Sequence, residues 1–108
     1  MPQPLQIFME YKIEEQKIDE YEREMERILA TLQEFGASNI QWFVAADQPH
    51  LYVEMFEVPT ASHYHAIKKL RQSEEHRVFG SITPMIKGGA KQIHCWAFEK
   101  RKGQGEKS

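Results

Sequence analysis

Cysteine is almost absent from this chain: the 108 residues hold one, Cys95. An internal disulfide framework is therefore excluded, and a thiol mid-strand among apolar neighbours reads as a core residue in a reducing compartment. No apolar run approaches the roughly 20 residues that cross a bilayer. The N-terminus also lacks the basic-then-apolar pattern of a leader, so the expectation is a cytoplasmic protein with no membrane association. Neither sign of charge is in large excess. The formal net charge is −2, with no concentrated basic stretch, which argues against nucleic-acid binding. There is no glycine-rich phosphate loop, no paired-cysteine metal motif and no nucleophile beside a base. The expectation is no metal and no cofactor. Internal repeats and low-complexity blocks are missing too.

What remains is enough for one core. With 41% hydrophobic residues, residues 5–99 form a single domain, flanked by an arm at 1–4 whose two prolines discourage regular structure. A polar tail at 100–108 is expected to be disordered. Four segments, 5–13, 39–46, 51–58 and 92–99, read as strands. Between the first two, Ile18, Tyr21, Met25, Ile28, Leu29, Leu32 and Phe35 recur at three- and four-residue spacing, and Gly36 follows as a stop. That predicts a helix over about 14–35. Residues 14–27 carry seven acids against three bases, a solvated face on which Asp19 and Arg23 stand four apart as a supporting pair. Asp47-Gln-Pro-His50 is a hairpin turn. Thr60 caps a second helix with Tyr64, Ile67 and Leu70 inward and Lys68, Lys69 and Arg71 pointing mostly elsewhere. Ser73 caps a further short helix in which Val78, Phe79, Ile82, Met85 and Ile86 recur, with Pro84 ending it, and Gly88-Gly89 turns into the last strand.

The order is βαββαβ, the split arrangement of a ferredoxin-like α+β domain. Right-handed crossovers give an antiparallel four-stranded sheet of order 4-1-3-2 with both helices on one face. An aliphatic alternation, Leu5, Ile7, Met9, Leu51, Val53, Met55, Ile93, Cys95 and Ala97, suits the helix side. The other alternation collects Phe8, Glu10, Tyr52, Glu54, Phe56, His94, Trp96 and Phe98. So many aromatics on a free sheet face imply that something covers it. An RNA strand is the poorer choice, because Glu10 and Glu54 would stand where phosphates approach. A second copy, sheet against sheet, is the better one. In this register Glu10, Glu54 and His94 come from three adjacent strands. They would make either an acid/base or metal cluster or hydrogen bonds and ion pairs across a dimer seam, to Lys12 or Gln41 of the other copy. A slip of one residue dissolves the cluster.

The segment from Pro59 to Ile86 carries a more specific signal: Ala66 in a helix after the third strand, then Ser73, His76, Phe79 and Pro84. In that pattern the chain resembles the dimeric α/β-barrel superfamily, in particular small proteins similar to antibiotic-biosynthesis monooxygenases. The resemblance spans residues 5–99 and implies a homodimer whose two sheets close a barrel, each subunit keeping a pocket between sheet and helices. It also implies a cofactor-independent oxygenase acting on an aromatic or polycyclic compound, with His76 as proton acceptor and Trp42, Tyr64 and Phe79 lining the site. Haem-degrading relatives use a helical histidine, a tryptophan and a first-strand asparagine. This chain has no asparagine there and His76 is out of position, so haem, with Trp42 or Trp96 as the indole, is a minor alternative.

His76 also has a plainer reading. In a helix's first turn it either stays neutral as a base or ligand or merely satisfies a hydrogen bond at the helix start. His63 and His65, two apart on a helix, diverge and cannot share a metal, and His50 belongs to a turn. The competing function class is therefore a non-catalytic homodimeric module that binds a small ligand or a partner. A cavity reached by His76 favours the enzyme; an interior filled by side chains favours the module.

Overall fold

The computed structural model describes residues 3–101; Met1, Pro2 and most of the tail expected to be disordered, 102–108, lie outside the described residues. Strand β1 (Leu5–Lys12) leads through a 3-10 turn, Glu15–Lys17, into helix α1 (Ile18–Glu34). Strands β2 (Ser38–Val44) and β3 (Leu51–Val58) form the hairpin, helix α2 (Ala61–Arg71) follows, and β4 (His94–Phe98) closes the sheet. The sheet is antiparallel with order β2-β3-β1-β4, so the expected ferredoxin-like topology is present.

Each boundary has a local cause. The apolar stripe of α1 puts Tyr21, Met25, Ile28 and Leu32 in the core at 0% exposure. The helix ends because Gly36, at φ 95°, takes the left-handed turn. Its N–H then reaches Gln33 O at 3.0 Å and Ala37 N–H reaches Leu32 O at 3.1 Å, which satisfies two terminal carbonyls in a Schellman cap. The charged face pairs differently from the expected Asp19–Arg23: the ion pairs are Lys17–Glu20 at 3.8 Å and Arg27–Glu24 at 3.1 Å. Thr60 caps α2 as expected, its hydroxyl accepting from His63 N–H at 3.3 Å.

The segment after α2 departs from expectation. Instead of an α-helix capped by Ser73, residues Phe79–Met85 form a 3-10 helix, and Ser73 Oγ accepts only from Glu75 N–H at 3.1 Å. Pro84 has no N–H to donate, which suits this tighter and shorter coil. The segment still buries Phe79, Ile82 and Met85 against α1.

The larger correction concerns β3. Register pairs Ile7 with Phe56, Met9 with Glu54 and Tyr11 with Tyr52. Directly opposed residues of paired strands share a face, so Tyr52, Glu54 and Phe56 lie on the helix side, at 3%, 0% and 0% exposure. They cannot contribute to the open face. Leu51, Val53 and Met55, expected under the helices, lie on the open side instead. For β1 and β4 the expected faces hold. Two rows then run across the open face, Gln41-Met55-Phe8-Trp96 and Phe43-Val53-Glu10-His94.

Candidate functional site

The helix-covered side of the sheet holds an unusual amount of polar chemistry. Glu54 stands mid-way along β3, a central strand, and Arg71 is the last residue of α2. Tyr64, Ile67 and Arg71 are spaced three and four apart, so the stripe that buries Ile67 carries Arg71 inward as well. Its guanidinium meets the carboxylate end-on, Nη1 to Oε1 and Nη2 to Oε2, both at 2.7 Å, with both side chains fully buried. The Tyr11 hydroxyl donates to Oε2 of the same carboxylate.

From there the direction of every hydrogen bond is forced. A carboxylate paired with a guanidinium only accepts, so the single Tyr11 hydroxyl proton is committed to Glu54. Tyr21 Oη, 2.6 Å from Tyr11 Oη, must then donate to Tyr11. Its own lone pair accepts from Trp42 Nε1–H at 2.9 Å. The result is a one-way chain from the indole on β2 to the buried carboxylate. Tyr52 packs beside it, its ring stacked on Trp42 at 6.1 Å and its hydroxyl donating to Glu22 at 2.6 Å. Arg71 also lies over the Phe79 ring at 5.3 Å, a cation–π contact in a desolvated setting. Its Nε–H finds no partner among the described residues.

Electrostatics hold Arg71 and the two phenols in one protonation state. Burial works against the Arg71 charge, but the adjacent Glu54 carboxylate overrides it and makes the guanidinium more basic than usual. Burial, reinforced by the Glu54 charge, pushes both Tyr11 and Tyr21 well above the ordinary phenol range. Neither phenol becomes a phenolate near neutrality, and the carboxylate already accepts from three donors. The network can hold shape and can orient a neighbour. It supplies no free base.

His76 is half-buried just after α2. Its Nδ1 accepts from the backbone N–H groups of Val78 and Phe79, each at 3.1 Å, and its ring stacks on Phe79 at 4.7 Å. An Nδ1 that accepts carries no proton, so in the neutral ring Nε2 holds it. In this geometry the imidazole satisfies two N–H groups at the start of the 3-10 helix, and neither nitrogen offers a lone pair to a substrate or an iron. Haem ligation through Nε2 would need the proton on Nδ1, at the expense of both backbone bonds.

The aromatic residues expected to line one pocket are dispersed. Trp42 lies on β2 at one edge of the sheet, whereas Tyr64 donates to Cys95 O on β4 at the other edge, at 3.3 Å. Phe79 is fully buried among Phe35, His76 and Arg71. The expected Glu10–Glu54–His94 cluster does not form, because Glu54 is on the other face. Glu10 and His94 do meet as opposed residues of β1 and β4. No group of three or more His, Cys, Asp or Glu side chains that could hold a metal occurs among the described residues. Cys95 is buried as expected, and burial pushes its thiol up to about 11. The residues missed by sequence reasoning are Tyr11, Tyr21 and Arg71, and the available signal was the inward spacing of Arg71.

On the open face, Phe8 packs against Trp96 at 5.7 Å and edge-on to Phe98 at 6.5 Å, and His94 stacks on Trp96 at 6.1 Å. Phe43, Trp96 and Phe98 are 47%, 44% and 51% exposed. This fold recurs in solved structures. An antibiotic biosynthesis monooxygenase superposes with a TM-score of 0.67 over 90% of this chain and 98% of its own, at 14% identity. The chain shares the ferredoxin-like fold of that protein. A Pseudomonas aeruginosa protein matches at TM-score 0.67 and 13% identity, covering 94% of this chain and 97% of its own. A conserved protein from Methanosarcina mazei Go1 matches at 0.63 and 16%, covering 92% and 94%. No family profile matches, and no curated protein is similar in sequence. At such identities the likeness is one of fold, and site residues do not transfer with it. Among the described residues no helix is long and apolar enough to cross a membrane.

Proposed function

We propose that this protein is a homodimeric ligand-binding module built on the antibiotic-biosynthesis-monooxygenase fold, two copies closing a barrel through their open sheet faces. The observation that carries the reading is the bare face itself, where Phe43, Trp96 and Phe98 stay about half exposed beside Phe8, Val53 and Met55. Covering each of those three aromatics would contribute about 1 kcal/mol, and a largely apolar face suits a copy of itself. Binding is favoured over acid–base chemistry because the Glu54 carboxylate on the helix side already accepts three hydrogen bonds and His76 Nδ1 is already used by two backbone donors. Light scattering is expected to give about twice the 12.7 kDa chain mass. Trp96→Glu, which places a charge in the seam, is expected to yield a folded monomer; a wild-type monomer would sink the dimer. Native mass spectrometry of the purified protein tests for a retained ligand.

A second reading, cofactor-independent oxygenation of an electron-rich aromatic, draws on the fold shared with a solved antibiotic biosynthesis monooxygenase and on the half-buried Trp42 end of the hydrogen-bond chain. There the half-buried Trp42 ring would stack on an aromatic substrate. Oxygen uptake with a hydroquinone tests it, and a rate no higher than the protein-free control discards it.

A further inference from the structure

The open face ends, where β1 leaves the sheet, in a groove of about 330 Å³ whose lining includes Glu10, Lys12, Leu51, Lys87, Gln92 and His94. Its walls are held by backbone. Lys87 N–H bonds Lys12 O at 2.9 Å, and Ile13 bridges Ile86, tying the loop before β4 to the end of β1. Gly88 turns at φ 84°, and the Gln92 side chain folds so closely over it that a Cβ there would meet Gln92 Cγ at 2.5 Å. Only glycine permits both the left-handed turn and this crossing.

The groove's charge is opposite to the chain's. Lys12 and Lys87 bring two ammonium groups against one carboxylate, Glu10, which stands directly across from His94, while the whole chain carries a net −2. The local balance is therefore positive whatever the state of His94. An apolar and aromatic surface accompanies it: Leu51 on one side and, on the other, the His94 ring, stacked within 17° of the Trp96 plane. Lysine ammonium groups bind a carboxylate as point charges without demanding a bidentate geometry. Planar rings favour stacked or edge contacts with imidazole and indole. The volume lies at the small end of the range for ligand pockets, roughly 300–1,000 Å³.

We propose that this groove binds a small aromatic monoanion of one or two rings, its carboxylate directed to Lys12 and Lys87 and its ring lodged against Leu51 and His94. The inference rests on the ligand-binding reading of the protein; one chain supplies every lining residue, and Glu10 and His94 stand in the last row of the face that a second copy would cover. The probe is 1-naphthoate, titrated into the 15N-labelled full chain at pH 7 and low salt. Saturable amide shifts are expected at residues 10–12, 51 and 87–94. Lys12→Gln with Lys87→Gln, both exposed positions, should weaken binding tenfold or more while leaving the spectrum dispersed. The neutral isostere 1-naphthamide should bind at least tenfold more weakly than the acid. Equal affinity for acid and amide, no effect of the double substitution, or shifts centred on Phe43 and Phe98 would each overturn the proposal. Light scattering on the same samples separates the two readings: a dimer that ignores naphthoate refutes the groove alone, and a monomer that binds it refutes the dimer alone.

Discussion

Replacing Arg71 with alanine should damage this protein more than any change on its surface. The guanidinium makes two 2.7 Å bonds to Glu54, and both side chains are fully buried. Without it, the carboxylate keeps Tyr11 as its one remaining donor in a site with no exposure. Breaking a buried pair from one side typically costs about 3–5 kcal/mol, since it strands a desolvated charge. A domain of this size is stable by only about 5–15 kcal/mol, so the loss approaches half of the total. At roughly 4–8 °C per kcal/mol for a domain of this length, the melting temperature should fall by at least about 12 °C. Arg71→Lys should recover only part of this, because an ammonium cannot present the paired end-on donors. The informative control is the combination Glu54→Leu, Arg71→Met and Tyr11→Phe, which removes both charges and the Tyr11 hydroxyl and leaves only the Tyr21 hydroxyl without its acceptor. Apolar replacement of a whole buried pair is often near neutral, so the triple variant should be more stable than Arg71→Ala. Urea denaturation followed by tryptophan fluorescence reads both. A loss below about 1 kcal/mol for Arg71→Ala would refute the reasoning, as that is the range of a solvent-exposed pair.

The buried phenols predict an alkaline limit. Tyr11 and Tyr21 have folded pKa values raised above their unfolded ones, so above pH 10 the unfolded state releases protons that the folded state keeps. Their contribution is complete below the unfolded phenol pKa and falls as pH rises from there toward the folded values, by about 1.4 kcal/mol per pH unit for each phenol. Absorbance at 295 nm should show these two titrating only as the chain unfolds; titration near pH 10 in the folded protein would contradict it. His76→Ala should lower stability by about 0.5–2 kcal/mol, the usual effect of losing a cap, because the Val78 and Phe79 N–H groups lose their acceptor. An unchanged denaturation midpoint would remove the capping role. In the dimer, Trp96→Glu should halve the mass seen by light scattering without unfolding the chain, since Trp96 is 44% exposed in one subunit.

Helix starts show how far local chemistry can be read. Thr60 caps α2 as its sequence context predicts, yet Ser73, an equally good capping residue, does not start the next helix. That helix starts at Phe79, where its first N–H groups reach the His76 imidazole and Phe79 packs against Phe35 and Arg71. The site was less legible than the fold for the same reason. Arg71 reads as a surface cation until Glu54 is known to face it, and Tyr21 reads as one more apolar residue of α1 until its hydroxyl is placed between Tyr11 and Trp42.

The βαββαβ order follows from the sequence alone, since the spacing from Ile18 to Phe35, the stop at Gly36 and the alternating strands are local signals with periods of 3.6 and 2. The face that β3 turns inward is different. Its two alternations, Leu51-Val53-Met55-Glu57 and Tyr52-Glu54-Phe56-Val58, each hold three apolar residues and one glutamate, so the pattern is degenerate under a shift of one. Only the tertiary structure breaks the tie. Arg71 at the end of α2 and Tyr11 on β1 stand where they can neutralise and hydrogen-bond a buried Glu54, and nothing comparable awaits Glu57. A buried carboxylate survives where its partners are, and those partners lie 17 residues further along the chain and 43 residues back.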